Sequence, residues 1–253
     1  NESVELARLI FDFGKRTAEE DGVPGCSKLA IIAHHYCLGY LITLSPLLFN
    51  QHIPVFYIRE LGVIDDATTA SIQGGDFTDL IALGVDKHIP DTVLAACAEH
   101  GVKSERLIGK NPYDANEKIN DLITSGQVEG ARLTIDNLIV SSVWNPAYAF
   151  AAGAWAAKTD SAFLLEDPQN LDSVAHAISY IKKKGGSVKH LTFLGDSSQF
   201  GRLDKEMLGK AVQEALVDAG FADTGAEDAQ PAETERTGFT SADAASANTQ
   251  ENE

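Results

Sequence analysis

The chain has 253 residues, with 20 Lys and Arg against 37 Asp and Glu, a formal net charge of -17. A nucleic-acid-binding surface needs clustered basic residues, so this charge argues against nucleic acid as a partner. No uninterrupted apolar stretch of about 18 residues occurs, so the sequence predicts no membrane span, and the first residues lack the pattern of a signal peptide.

The acidic excess is concentrated in residues 221–253, which carry eight acidic residues and one arginine. This segment has only two large apolar residues, Phe221 and Phe239. It cannot bury enough surface to offset the entropy lost on ordering. We therefore predict a disordered acidic tail at 221–253 and a folded part of roughly 220 residues.

Helical and strand-like segments alternate along the folded part. The apolar spacing of the first half predicts, in chain order, a helix over 3–20, a strand over 28–35, a helix over 40–51, strands over 53–58 and 79–85, and a helix over 89–101. In the second half it predicts helix 116–126, strand 136–142, helix 145–158, strand 161–167, helix 171–186, strand 190–196 and helix 204–220. Strands that alternate with helices predict a layered α/β fold with mostly parallel sheets.

The two halves align as copies of one unit. At an offset of 108 residues, segment 31–48 falls on 139–156, and shifted by three more, segment 80–87 falls on 191–198. Few identities survive, but the order of elements and the loop lengths match. We predict a tandem duplication, with copies at 1–105 and 106–220.

The repeat resembles the cell wall-binding repeat type 2 family of Gram-positive surface proteins. Segment 106–119, RLIGKNPYDANEKI, is similar to the family's R-L-x-G-x-D-R-Y-x-T-x-x-x-I signature. Segments 31–48 and 139–156 resemble its V-I-A-T-G-x-x-F-P-D-A-L-S-A-G-P-L-A stretch, with Tyr40 and Tyr148 where the family has Asp.

This resemblance implies a fold, a location and a function. It implies tandem Rossmann-like or flavodoxin-like units at the cell surface that hold a surface protein, without catalysis and without a cofactor, on an anionic wall polymer. Family members usually carry three copies, so it also implies either a third repeat upstream or a homo-oligomer. Two alternatives from other classes stay open: a small-molecule-binding or hydrolytic α/β enzyme domain, and a protein–protein assembly module.

Aromatic and basic residues are the candidate polymer-binding groups. Residues four apart share a helix face, so each of two aromatic pairs predicts a patch on which a sugar ring stacks, with packing between copies as the alternative. The pairs are Tyr36 with Tyr40 and Trp144 with Tyr148. The candidate cations are Arg59, Arg106, Lys110 and Lys158.

Other polar residues receive weaker functional interpretations. Asp196 and Ser197 follow a predicted strand, where helix N–H groups bind anions or sugar hydroxyls, with loop capping as the alternative. His34 and His35 follow the first predicted strand, and since neighbouring strand residues point to opposite faces, we predict a structural role.

No zinc spacing and no complete catalytic motif occurs in the sequence. Of the three cysteines, Cys37 and Cys97 sit in apolar runs and are predicted to be core residues.

Overall fold

The apolar runs of the first half pair into a parallel sheet. The structure, a computed structural model, describes residues 2–21, 28–59, 62–125, 135–142, 145–159, 161–167, 169–184, 186–195 and 198–220. In this part of the chain the first sheet has the strand order β2-β1-β3-β4. Its strands are β1 (Leu29–His34), β2 (Val55–Ile58), β3 (Asp79–Leu83) and β4 (Lys103–Leu107). Strand β1 is buried along its whole length, as expected of a central strand in a parallel sheet.

Helices cover both faces of this sheet. They are α1 (Glu2–Asp21), a 3-10 turn (His35–Cys37), α2 (Leu38–Asn50), α3 (Asp66–Gln73) and α4 (Asp91–Glu99). Helix α1 is amphipathic and buries Val4, Ala7 and Phe11 in the same core cluster as Phe56 of β2. The Oγ atom of Ser3 accepts a hydrogen bond from the backbone N–H of Tyr57 at 2.8 Å, which covers the outer edge of β2.

The second half repeats this arrangement with a smaller sheet. Its described strands are β5 (Asn137–Ser142), β6 (Ala162–Glu166) and β7 (His190–Leu194), in the order β6-β5-β7 and all parallel. The helices of this half are α5 (Pro112–Ser125), α6 (Pro146–Lys158), α7 (Leu171–Lys184) and α8 (Arg202–Asp218). Asn145 caps α6 by accepting from the backbone N–H of Ala147, and Pro146 occupies the first turn.

Corresponding hydrogen bonds occur in the two sheets. Thr78 N–H and Asp79 N–H both donate to the carbonyl of Lys28. Lys189 N–H and His190 N–H both donate in the same way to the carbonyl of Asp136. These atoms are related by the offsets found in the sequence, so β1, β2 and β3 correspond to β5, β6 and β7. The predicted layered α/β fold with mostly parallel sheets is confirmed.

Helices of the two halves pack directly on one another, and residues 1–222 form one compact unit. A Cβ atom at Gly153 of α6 would lie 3.0 Å from Ser45 Oγ and 3.3 Å from the carbonyl of Ile42 on α2, so this glycine permits a close helix contact. Ile119 and Ile123 of α5 share a core cluster with Leu44 of α2. The proposed boundary between copies, at residues 105 and 106, falls inside β4.

Two elements and two side-chain orientations differ from what the sequence predicts. The apolar pattern predicts neither α3 nor β4, whose sequences are mostly polar. The expectation that His34 and His35 point to opposite faces is wrong: their ring centroids are 4.0 Å apart, because β1 ends at His34 and the chain turns into the 3-10 helix. Cys37 and Cys97 are buried as predicted. Cys26 and the predicted tail at 221–253 lie outside the described residues.

No helix among the residues that the structure describes is both long enough and apolar enough to cross a lipid bilayer.

Candidate functional site

A groove opens between the end of β4 and α5, near the junction of the two halves. Its volume is about 530 Å³, and we call it the junction groove. It is lined by Glu105, Arg106, Leu107, Ile108, Lys118, Asp121, Leu122, Ser125 and Lys184. Three of these side chains are cationic and two are anionic, so the junction groove is more basic than the chain as a whole.

Two lysines contribute positive charge to the junction groove, Lys118 with a side chain 47% exposed and Lys184 with one 25% exposed. Lys118 Nζ donates to the carbonyl of Ile108 at 2.9 Å and lies 3.1 Å from the carboxylate of Asp114. Lys184 Nζ lies 3.6 Å from the carboxylate of Asp121, a longer and therefore weaker ion pair. Sequence analysis missed both lysines as site residues, because 66 residues separate Lys118 from Lys184.

Arg106 is a brace inside the first half. Its guanidinium donates to the carbonyl of Gly84 at 2.7 Å and to the carbonyl of Ile89 at 2.6 Å. It also pairs with Asp91 Oδ1 at 2.5 Å, and its side chain is only 15% exposed. The guanidinium thus ties the end of β4 to the loop between β3 and α4, and most of its donors are already used.

The loop from β4 to α5 is held by local contacts. Tyr40 Oη accepts from the backbone N–H of Gly109 at 3.4 Å, and Lys110 N–H donates to Asp114 Oδ2 at 2.6 Å. A Cβ atom at Gly109 would lie 2.3 Å from the backbone nitrogen of Ala115, so only glycine fits. Lys110 is exposed, two residues after Ile108 of the junction groove.

A buried carboxylate joins α5 to α7 beneath the lysine-rich end of α7. Glu117 accepts from Lys183 Nζ at 2.5 Å and from Ser179 Oγ at 3.2 Å, and pairs with His176 at 2.7 Å. Burial raises the pKa of Glu117, but the hydrogen bonds from Lys183 and His176 outweigh it, so the net pKa is lowered. Lys183 is bound in this way, whereas its neighbour Lys184 lines the junction groove.

Three histidines and a tyrosine cluster at the carboxyl end of the first sheet. His34 stacks on His88 with ring centroids 5.0 Å apart, and Tyr36 lies 4.0 Å from His35. His34 Nδ1 accepts from Tyr36 N–H at 3.3 Å, which leaves Nε2 to donate to the carbonyl of Arg59. Burial lowers the pKa of His34, and the charges of His35 and His88 lower it further. Tyr36 therefore belongs to this cluster, whereas Tyr40 contacts the junction loop.

The corresponding end of the second sheet holds a buried acid. Glu166 is fully buried, and neither carboxyl oxygen has a hydrogen-bond partner in the described part of the chain. Burial, with smaller contributions from Asp204 and Asp167, raises the pKa of Glu166 to about 7. Asp167 itself accepts from the hydroxyl of Tyr113 at 2.9 Å, and burial together with this bond raises the pKa of Tyr113 to about 12.

The structure brings only some of the predicted site residues together. Arg106 lies near the end of β4, Lys110 lies in the loop that follows, and Tyr40 contacts that loop at Gly109. Arg59 is exposed after β2 and lies 3.9 Å from Glu2, and Tyr148 and Lys158 lie on α6. Trp144, Asp196 and Ser197 lie outside the described residues. Within the described ranges, no group of His, Cys, Asp and Glu side chains is arranged to hold a metal ion.

Comparison with known proteins shows similarity at the level of the fold. No family model matches the sequence, and no curated protein matches it. Cwp8 from Clostridium difficile has a similar fold, with a TM-score of 0.58 and 14% identity over 80% of this chain and 32% of that chain. Cwp6 from Clostridium difficile aligns with a TM-score of 0.59 and 14% identity over 80% of this chain and 30% of that chain. The chain thus spans about a third of the length of these two neighbours.

Proposed function

We propose that this chain is a non-catalytic module of a cell-surface protein that binds an anionic polymer of the cell wall through the junction groove. The structural neighbours Cwp8 and Cwp6 are cell wall proteins, which supports the association with a wall. The observation that carries the proposal is the meeting of Lys118, Lys184 and Arg106 in one open groove. A local basic groove attracts a polyanion even when the rest of the surface is acidic.

The groove cations have distinct parts in this proposal. Arg106 keeps the groove wall in shape, because its donors already bind the chain. Lys184 binds a phosphate or carboxylate of the polymer in exchange for its long contact with Asp121. Lys110 extends the basic surface beyond the groove, and Tyr40 fixes the loop that carries it.

The remaining candidate residues extend the proposed polymer path. Tyr36, exposed on 67% of its surface, offers a stacking face for a sugar ring at the end of the first sheet. Arg59, Lys158 and Tyr148 supply further contacts on the surface. Trp144, Asp196 and Ser197 stay predictions from the sequence.

Binding to purified Gram-positive wall sacculi tests the proposal. We expect the protein to sediment with intact sacculi and to stay in solution with sacculi from which acid has removed the secondary polymer. The double variant Lys118→Ala/Lys184→Ala should bind about tenfold more weakly, because two charge contacts are lost. The matched control Lys189→Ala/Lys210→Ala removes two lysines that pair with acids elsewhere and should bind like the parent. Retention by stripped sacculi, or equal loss in both double variants, would refute the assignment.

A second candidate function, assembly between copies, is favoured by α1. The corresponding helix α5 packs on α2 as well as on its own sheet, whereas α1 contacts its own sheet and leaves Leu6, Leu9 and Phe13 exposed. These three residues share one helix face. We propose that this face packs on another copy, in line with a three-copy or oligomeric assembly.

Sedimentation velocity at several protein concentrations tests assembly. We expect a concentration-dependent larger species that Leu9→Glu abolishes, while Leu203→Glu, at another exposed leucine, leaves it intact. A monomer at every concentration would contradict this second function and leave polymer binding unaffected.

A further inference from the structure

Strand β7 has an outer edge that corresponds to an occupied edge in the first sheet. There, β4 pairs with the outer side of β3, along residues 79–83. In the second sheet β7 is the equivalent of β3, and no strand pairs with its outer side among the described residues. Within the described ranges, the edge of β7 therefore has no partner strand at the position where the first sheet accepts a parallel strand.

The side chains of β7 reflect this difference. Leu80 and Ala82 of β3 are completely buried. Their equivalents, Leu191 and Phe193, are only partly buried, although both pack against the core of the second half. An added strand would cover these side chains as β4 covers those of β3.

The backbone groups available at this edge follow from the hydrogen bonds of the first sheet. The Thr78 carbonyl accepts from Lys103 N–H at 2.7 Å, and Gly84 N–H donates to the Leu107 carbonyl at 3.3 Å. Alternate residues of β3 thus face β4. In β3 the residues that face β4 are therefore Leu80 and Ala82. Their equivalents in β7, 111 residues later, are Leu191 and Phe193, so the N–H and C=O groups of these two residues face the outer edge.

Charge distinguishes the two edges. In the first sheet Arg106 of β4 binds the carbonyls of Gly84 and Ile89 and the carboxylate of Asp91. The residue that corresponds to Asp91 is Arg202, the first residue of α8, whose side chain is 91% exposed and pairs with Glu206 one turn later on the same helix at 3.4 Å. The open edge therefore offers a cation where the occupied edge offers an anion.

We propose that the outer edge of β7 binds an extended segment of another polypeptide as an added parallel strand, with an acidic residue placed against Arg202. Main-chain hydrogen bonds to Leu191 and Phe193 supply affinity, and the ion pair with Arg202 supplies selectivity. This binding surface is separate from the junction groove, so it does not depend on the proposed polymer binding.

Two matched peptides test the proposal by NMR titration of the full chain. One has the sequence of residues 102–108, VKSERLI, and the other carries the Arg106→Glu substitution. The acidic peptide should shift the backbone amide signals of Leu191, Phe193 and Gly195 and bind about fivefold more tightly than its arginine counterpart. In the Arg202→Glu protein the preference should reverse, while the Lys210→Glu protein, changed on the same helix away from the edge, should keep it.

Three outcomes would overturn the proposal. The first is the absence of shifts at Leu191 and Phe193 with either peptide. The second is equal binding of both peptides, or a preference that Arg202→Glu leaves unchanged. The third is a shift of these amides with protein concentration alone, which would assign the edge to a second copy of the chain.

Discussion

The side-chain amide of Asn120 binds the backbone of Phe163 as a neighbouring strand would. Asn120 Nδ2 donates to the Phe163 carbonyl at 2.8 Å, and Phe163 N–H donates to Asn120 Oδ1 at 3.3 Å. Asn116, one turn earlier on α5, makes similar bonds to Phe163 and Leu165. A helix thereby satisfies the edge of β6, which would otherwise expose unpaired backbone groups.

Replacing Asn120 with leucine should show how much this contact contributes to the free energy of unfolding. Asn120→Leu keeps the branched shape of the side chain but removes the partner of the Phe163 N–H and one of the two donors to the Phe163 C=O, so we expect a loss of about 2–4 kcal/mol in the free energy of unfolding. Urea denaturation measures the loss. Hydrogen exchange should accelerate at the Phe163 amide more than at the Val140 amide in β5, whereas an equal acceleration at both would indicate a purely global effect.

The buried acid Glu166 predicts a dependence of stability on pH. Its pKa is raised from 4.5 to about 7 in the folded chain, so the folded state holds a proton that the unfolded state releases. The free energy of unfolding should therefore fall as the pH rises through this window, by about 3 kcal/mol in total. Below about pH 4.5 the group is protonated in both states and contributes no dependence.

Glu166→Gln isolates this contribution. The variant should lose less stability than the parent between about pH 5 and about pH 8, because glutamine does not ionise. Denaturation curves at each pH give the comparison, with Asp172→Asn, at an exposed acid on α7, as the control. Parallel pH dependences of the parent and Glu166→Gln would show that Glu166 does not titrate in this range.

The apolar strands and helices could be predicted from the sequence because their periodicity follows from burial. Strand β4 could not, since four of its five residues, KSERL, are polar. It pairs because the edge of β3 is available and because Arg106 anchors it to the loop before α4. Helix α3, DATTASIQ, likewise has few apolar residues and is fixed by its Asp65 cap.

The candidate site was only partly predictable. Arg106 and Lys110 were identified from the junction sequence, but the contacts that use up the Arg106 donors depend on the folded loop. Lys184 lies in the last turn of α7, the end of a helix that favours a cation. Its position in the junction groove follows from the packing of α7 on α5, which no local pattern in the sequence reports.

The role of Arg106 as a brace can be separated from its charge. Arg106→Lys keeps the charge but cannot reach both carbonyls and Asp91 together, so we expect a loss of about 2 kcal/mol in the free energy of unfolding. The matched change Arg59→Lys, at an exposed side chain 3.9 Å from Glu2, should alter stability by less than about 0.5 kcal/mol. Similar effects of the two substitutions in thermal denaturation would contradict the proposed stabilising role of the Arg106 hydrogen bonds.

Two helical glycines should respond differently to the same substitution. At Gly209 on α8 an added Cβ meets no atom within 4 Å, so Gly209→Ala should raise the free energy of unfolding by about 0.5–1 kcal/mol through helix propensity. At Gly153 the added Cβ would lie 3.0 Å from Ser45 Oγ and 3.3 Å from the Ile42 carbonyl. The crowding should cancel that gain, so Gly153→Ala should be neutral or destabilising in urea denaturation. An equal gain at both positions would mean that α2 and α6 are less closely packed than their contact at Gly153 indicates.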